Sequence, residues 1–331
     1  MSTEAKVEQL LQASYDGDLK TVQRLVTERG ATFIDACRKG NLPVVKKLVG
    51  QQQDVNVIDD NGSTGLSWAS FFGNVDMARY LLKQEHIAID QTNNKNQSPL
   101  HAAVFANRSN VVPILLANGV DVNLQEKGSL HTALFSAAIE GRVDLINLLV
   151  EGGSDVNALD SAGNTPIYGA SQHGQVEGVE ALIKLGGDFK KQNGRGQTPA
   201  HTSSEEGFAN VVSLLLNHGV DIDVKAHDGE SCLMRACCRG RVEVVELLLS
   251  KGCDIEEPNK AGFTAMDAAK STGNWAVVKM LETEIKRRKK REGDKERKKK
   301  KKVQEQALKK QLRRDEAEEE KMKEVVLSKV V

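Results

Sequence analysis

The chain has 331 residues, of which 39% are apolar and 4% aromatic: enough for a sizeable core, too few rings for the strands of a sandwich or barrel. Its 46 Lys/Arg and 46 Asp/Glu cancel, yet residues 286–331 hold 20 basic and 10 acidic side chains, so an acidic body of net −10 precedes a basic tail of net +10. No apolar run reaches the roughly 18 residues of a membrane span. The polar start Met1-Ser2-Thr3-Glu4 does not read as a signal peptide, and five cysteines without framework spacing fit a reducing compartment.

The expected elements follow a repeat. Thr or Ser recurs at Thr64, Ser98, Thr132, Thr165, Thr198, Ser231 and Thr264, in steps of 34, 34, 33, 33, 33 and 33. Nine residues after each come Gly73, Asn107, Gly141, Gly174, Gly207, Gly240 and Gly273. Upstream, Gly40 and, after a shortened link, Gly17 continue the series, which makes about nine units over residues 1–284. Within a unit, Thr165 is placed as an N-cap, with Pro166 at the first helical position, where a missing N–H costs nothing. Gly174 stops that first helix as a left-handed residue would. A second helix follows, with apolar spacing such as Val143, Leu145, Ile146, Leu148 and Leu149, and Gly153 ends it. Residues 155–163, rich in Asp, Asn, Ser and Gly, form a turn-like link to the next unit.

These residues resemble the ankyrin repeat, with its period of about 33 and its Thr-Pro-Leu-His-x-Ala signature. Ser98-Pro99-Leu100-His101-Ala102-Ala103 is nearly that signature, and Thr165-Pro166 and Thr198-Pro199-Ala200-His201 are close to it. Asp-Val-Asn recurs at 54–56, 121–123 and 155–157. Thr64-Gly65 and Thr132-Ala133 depart from the pattern by lacking the proline; the link before Thr132 is one residue longer, and His131 precedes the Thr instead of following it. The resemblance implies an all-α solenoid of stacked helix pairs over residues 1–284, its first two units degenerate and capping, followed by a charged tail over 285–331 that is helical or disordered. It also implies a surface that binds other proteins on its concave side, made of first helices and hairpins.

Positions four, seven and eight after the anchor Thr are not needed for stacking. They carry Trp68, Phe71 and Phe72 in one unit and Phe105 in the next, a candidate anchor patch for a protein partner. The alternative for Phe71 and Phe105 is packing between repeats; it is weaker for Trp68. Further along, Glu205 and Glu206 are followed by Arg235 and Arg239, charges that would set register and partner choice. The hairpin tips Ile58, Leu124 and Leu159 are apolar and open to either a partner or a neighbouring tip. In animal members of the family, a hairpin Asn with Leu eight positions earlier can be hydroxylated; Asn56, Asn123 and Asn157 resemble that pattern, beside the plainer reading of an Asn that stabilises its own turn.

The tail opens with two basic blocks, Lys286-Arg287-Arg288-Lys289-Lys290-Arg291 and a second block whose core is Lys298-Lys299-Lys300-Lys301-Lys302. Self-repulsion predicts an extended or weakly helical course for both. From Val303 onward helix formers dominate, but the seam Leu308, Leu312, Asp315, Glu319, Met322, Val326 fails at two of six positions as a coiled coil. The blocks read as an import signal, a phosphate contact to nucleic acid, or a mask folded back on the acidic body. Walker, dinucleotide and His-Glu-x-x-His motifs are absent, the cysteines lack zinc spacing, and no nucleophile–base motif appears, so neither enzyme activity nor a cofactor or metal is expected. The leading expectation is a non-enzymatic adaptor or scaffold, monomeric, cytoplasmic and able to reach the nucleus. The alternatives are a nuclear regulator acting through its tail and a client-recruiting subunit of a ubiquitin-ligase-type assembly.

Overall fold

A computed structural model describes residues 9, 12–14 and 18–327. Among them the helices are α1 Leu19–Arg38, α2 Leu42–Gly50, α3 Gly65–Phe72, α4 Val75–Leu82, α5 Pro99–Phe105, α6 Val112–Ala117, α7 Ala133–Ile139 and α8 Val143–Glu151. There follow α9 Pro166–Gln172, α10 Val176–Lys184, α11 Pro199–Glu206, α12 Ala209–Asn217, α13 Cys232–Arg239, α14 Val242–Lys251, α15 Ala265–Ser271 and α16 Trp275–Leu327. The fold is an all-α solenoid. Successive pairs stack first helix on first helix and second on second, and one continuous core of Leu, Val, Ile and Ala runs through the stack from Phe33 to Leu281.

The anchor residues cap as their spacing requires. Thr64, Thr132, Thr165, Ser231 and Thr264 each accept, through the side-chain oxygen, the backbone N–H three residues on. At Ser98 and Thr198 the histidine of the signature completes a reciprocal box: the backbone N–H of the anchor donates to Nδ1 of His101 (3.3 Å) and His201 (3.1 Å). The first helices end on a left-handed residue, glycine at Gly73 (φ 74°) and Gly240 (φ 66°), and at Asn107 (φ 56°), where Asn takes the place of glycine.

Three sets of hydrogen bonds join one unit to the next. Hairpin tips form a backbone ladder: Asn94 N–H to Asn61 O (2.9 Å), Lys127 to Lys95 O (2.9 Å), Ser161 to Ser129 O (2.9 Å), Gly194 to Ala162 O (3.1 Å), His227 to Arg195 O (3.0 Å) and Lys260 to Asp228 O (3.0 Å). The hairpin Asn side chains reach forward. Asn56 donates to His86 O (2.8 Å) and accepts from Ala88 N–H (2.8 Å); Asn123 and Asn157 bridge in the same way to Gly153 O and Asp155 N–H, and to Gly186 O and Asp188 N–H. The side chain just after five of the stop residues reaches back and caps the preceding first helix. Arg108 donates to Phe71 O (3.0 Å), Arg142 to Val104 O (2.7 Å), Gln175 to Ile139 O (2.9 Å), Arg241 to Glu205 O (2.9 Å) and Asn274 to Cys237 O (3.0 Å).

The departures from the repeat have physical causes. A Cβ at Gly65 would stand 2.8 Å from both Phe33 Cε1 and Cys37 Sγ, atoms of fully buried side chains on α1, so a proline cannot be seated there. Before Thr132, Glu126 replaces the usual Asp or Asn; Leu130 takes a left-handed φ of 57°, and the ladder is kept through Ser129 O. Gly17 and Gly40 stand 23 residues apart, about one hairpin short of a full repeat, and α1 accordingly runs as one 20-residue helix in place of a helix, link and helix. Gly17 itself lies outside the described residues, as does most of the first unit expected to cap the array.

Of the two courses expected for the basic blocks, extended or helical, they take the helical one. Both lie within α16, a 53-residue helix that begins as the second helix of the last unit and continues without a break. Its root is held by the repeats. Ile285 packs on the core, and Arg288 donates to Cys253 O (2.8 Å) and Leu249 O (3.4 Å), capping the end of α14. Gly65→Pro, which would restore the family pattern, is expected to lower unfolding free energy by about 1–3 kcal/mol through overpacking; urea unfolding of the purified variant measures it.

Candidate partner-binding site

The four rings proposed from the sequence come together across α3 and α5. Trp68 lies 5.9 Å from Phe71 edge-on and 5.9 Å from Phe72 nearly parallel, and Phe71 stacks on Phe105 at 6.4 Å across the unit boundary. Their exposures differ from the sequence expectation. Trp68, expected to be the freest, is half-buried against the core; its Nε1–H donates to Asp59 Oδ2 (2.9 Å), and the Arg38 guanidinium lies 4.3 Å over its ring. Arg38 and Asp59 approach at 3.5 Å, so one indole is held on an edge and on a face. Phe105, a candidate anchor for which packing between repeats was the alternative, is 70% exposed, and Phe72 is 41% exposed. The reason is register. The eighth position after the anchor is the last residue of α3, and the seventh position in α5 is covered only in part, by the near-parallel Phe71 ring at 6.4 Å.

Between these rings and the hairpin tips lies a cleft of about 430 Å³. Trp68, Phe71 and Phe105 line one wall and the amides of Asn61, Asn94 and Gln97 the other, with Lys95 at the rim and His101 at the floor. Among these lining residues there is no carboxylate. Apolar surface faces hydrogen-bonding amides and a single ammonium, an arrangement that suits an extended peptide with an apolar side chain.

The second candidate patch is internally neutralised. Glu205 pairs with Arg235 (3.3 Å) and Arg239 (2.7 Å), Arg235 pairs also with Asp228 (2.8 Å) and Glu230 (3.1 Å), and Arg241 stands 3.7 Å from Glu206. Burial would raise the Glu205 carboxyl, but the Arg239 hydrogen bond and the charges of Arg235 and Arg239 together hold it below the ordinary value. Glu205, Glu206, Arg235 and Arg239 therefore join α11 to α13 and offer a partner little unpaired charge. The sequence could not show this, because the paired residues are 30 and 34 positions apart.

Asn56, Asn123 and Asn157 use both ends of their amides in the inter-repeat bridges, the structural role that their turn pattern allowed. The hairpin tips Ile58 (54%) and Leu159 (41%) are exposed, while Leu124 is half-buried. In the tail, Lys286, Lys290, Arg291 and Lys298–Lys302 are exposed, whereas Arg287 and Arg288 pair with Glu284 at 3.0 and 3.1 Å. Cys37, Cys232, Cys237 and Cys253 are buried, with thiols that burial pushes up to about 12; Cys238 is exposed. Among the described residues no group of three or more His, Cys, Asp or Glu is placed to hold a metal, and no helix is long and apolar enough to cross a membrane.

The ankyrin-repeat family model matches residues 33–126, 125–193, 182–259 and 224–290. The chain belongs to the ankyrin-repeat family. It is 36% identical over 127 residues to the nuclear factor NF-kappa-B p105 subunit of Gallus gallus, covering 38% of this chain and 13% of that protein. It is 38% identical over 100 residues to ankyrin repeat domain-containing protein 63 of Mus musculus, covering 29% and 25%. It is 35% identical over 106 residues to the E3 ubiquitin-protein ligase hecd-1 of Caenorhabditis elegans, covering 32% and 4%. The matched segments thus span a quarter or less of these relatives, and what is shared with them is the array. As an ankyrin-repeat array the chain is a protein–protein interaction module, built on a fold that is in general non-enzymatic.

The cap histidines set a pH dependence. Burial lowers the pKa of His101, and it lowers that of His201 to about 4. Each Nδ1 accepts a backbone N–H, so protonation breaks the box, while the unfolded chain binds the proton near pH 6.5. Stability is therefore full above pH 6.5 and falls below it, for His201 down to about pH 4 with a limiting slope of about 1.4 kcal/mol per pH unit, and His101 contributes in the same direction. Urea midpoints at pH 7 and pH 5 measure it, and His201→Gln is expected to flatten the slope by about one proton.

Proposed function

We propose that this chain is a non-enzymatic adaptor or scaffold that holds an extended segment of a protein partner in the α3–α5 cleft, with Phe105 as the accessible anchor in the cleft lining, Phe72 as a second one outside that lining beside Trp68 and Phe71, and Trp68 and Phe71 as the fixed platform. The observation that carries this reading is the exposure of two phenylalanines, 41% and 70%, on a face whose neighbouring rings are already held in place. Large rings left open to solvent cost solubility without adding to the stack, and rigid, preorganised aromatics are the usual centres of binding energy. Glu205, Glu206, Arg235 and Arg239 have a structural part in this reading.

The basic helix supports a second element of the proposal. Lys298–Lys302 stand exposed about 15 residues beyond the last core contact, Ile285, where an import receptor or a polyanion can reach them. On this reading the protein works in the cytoplasm with access to the nucleus. The continuous helix, which runs about 60 Å beyond its last core contact at Ile285, supports a tail that extends from the repeats over one that masks the cleft.

Comparative affinity capture from nuclease-treated lysate tests the cleft. Proteins retained by the full chain should be lost, by about tenfold or more, with Phe72→Ser/Phe105→Ser, and kept with Arg239→Ala, an exposed arginine outside the cleft. Equal retention by all three chains would remove the cleft from the account.

A further inference from the structure

We propose that the basic part of α16, residues 286–302, lies along the phosphates of double-stranded DNA. This rests on the reading of α16 as an exposed basic arm and is independent of the cleft. Of these 17 residues 13 are Lys or Arg and three are carboxylates, and the last is Gly293. Arg287 and Arg288 are held at the root by Glu284, and Lys289 stands 3.9 Å from Glu256. The other ten cations, Lys286, Lys290, Arg291, Lys295 and residues 297–302, are exposed and have no carboxylate within ion-pair distance among the described residues.

The helix arranges these charges over about 25 Å. Lys286, Lys290, Arg297 and Lys301 fall in one strip at helical spacing, and Glu292 and Glu296, four apart, lie on a different side. Lys286 with Lys290, Arg297 with Lys301 and Lys298 with Lys302 are like charges at i and i+4, which destabilise a free helix and which a polyanion would neutralise. Duplex DNA is the polyanion that the arrangement fits. Its major groove, roughly 12 Å wide, admits an α-helix and sets phosphates on both sides of it, so cations on several sides are met at once. A bilayer surface meets one side only, and residues 286–302 have no apolar side chain to enter it. Single strands are held by stacking on aromatic side chains, and none follows Trp275. Duplex RNA has a deep, narrow major groove that a helix does not enter. The acidic body, of net −10, repels the same phosphates and confines contact to the helix beyond its root. Contacts of this kind carry no sequence information, so binding is expected to be independent of sequence.

Fluorescence anisotropy of the full chain with a labelled DNA duplex of about 20 base pairs tests this. With half of the ten free cations on phosphates, the binding constant should fall about 500-fold between roughly 50 and 200 mM salt. Lys298→Gln/Lys299→Gln/Lys300→Gln/Lys301→Gln/Lys302→Gln, which keeps helix-forming side chains, is expected to lose tenfold or more in affinity and about half of the salt dependence. Phe72→Ser/Phe105→Ser is expected to bind the duplex as the wild type does. The same strand unpaired, and phosphatidylcholine vesicles with about a third phosphatidylserine, serve as competitors. A competitor that binds more tightly than the duplex, or a five-glutamine variant that binds the duplex as the wild type does, would overturn this inference and leave the exposed arm in place. Failure to bind duplex, single strand and vesicles alike at low salt would remove the polyanion reading of the arm as well, with the cleft untouched.

Discussion

Short helices leave most of their backbone polar groups at their ends. A helix of seven to ten residues, such as α5 or α14, has four N–H groups and four carbonyls without partners in the helix, so nearly every turn is a terminus. The rest of this molecule follows from satisfying those groups. The anchor Thr or Ser takes the first N–H groups within its own unit, and the last carbonyls are taken by the next unit, through Arg108, Arg142, Gln175, Arg241 and Asn274. A single unit therefore fails twice over, with its apolar face bare and its carbonyls unpaired, and the period of the sequence is the period of that shared satisfaction.

The same accounting separates structural side chains from spare ones. Arginines that look like recognition groups are largely consumed: Arg142 and Arg241 cap helices, Arg235 is held by three carboxylates, Arg288 closes α14 and Arg38 lies on an indole. What remains outside these bonds is compact: the exposed rings of Phe105, in the cleft lining, and Phe72, beside it, a few apolar hairpin tips, and the far part of a long basic helix. The first of these has the chemistry of a peptide seat and the last that of an extended charged arm, and they are separated in space by the rigid root of α16.

Much of the fold was legible from Thr, Pro and Gly positions, because capping and left-handed stops are local events decided by the residue in place. Local reading also found the four rings. It did not show which of them are held in place, since the hydrogen bond from Trp68 to Asp59 and the covering Arg38 come from residues 9 and 30 positions away. Pairing of Glu205 with Arg235 and Arg239, and the forward bridges of Asn56, Asn123 and Asn157, likewise span about one repeat, and no pattern of neighbours records them. One long-range signal was present and read only in part. A polar residue follows most of the stop positions, and that recurrence marks the donor that caps the preceding unit. The basic blocks were judged by their self-repulsion alone, whereas the helix into which they are threaded is nucleated upstream, by Val277, Val278 and Leu281 in the core, and propagates through them.

The central claim is that Phe72 and Phe105 are surface the fold does not need. Equilibrium urea unfolding of Phe72→Ser/Phe105→Ser beside the wild type tests it most directly. The account predicts a free energy of unfolding within about 0.5 kcal/mol of the wild type and an unchanged dependence on denaturant. A loss of more than about 2 kcal/mol would show that the rings belong to the stack and would contradict the account.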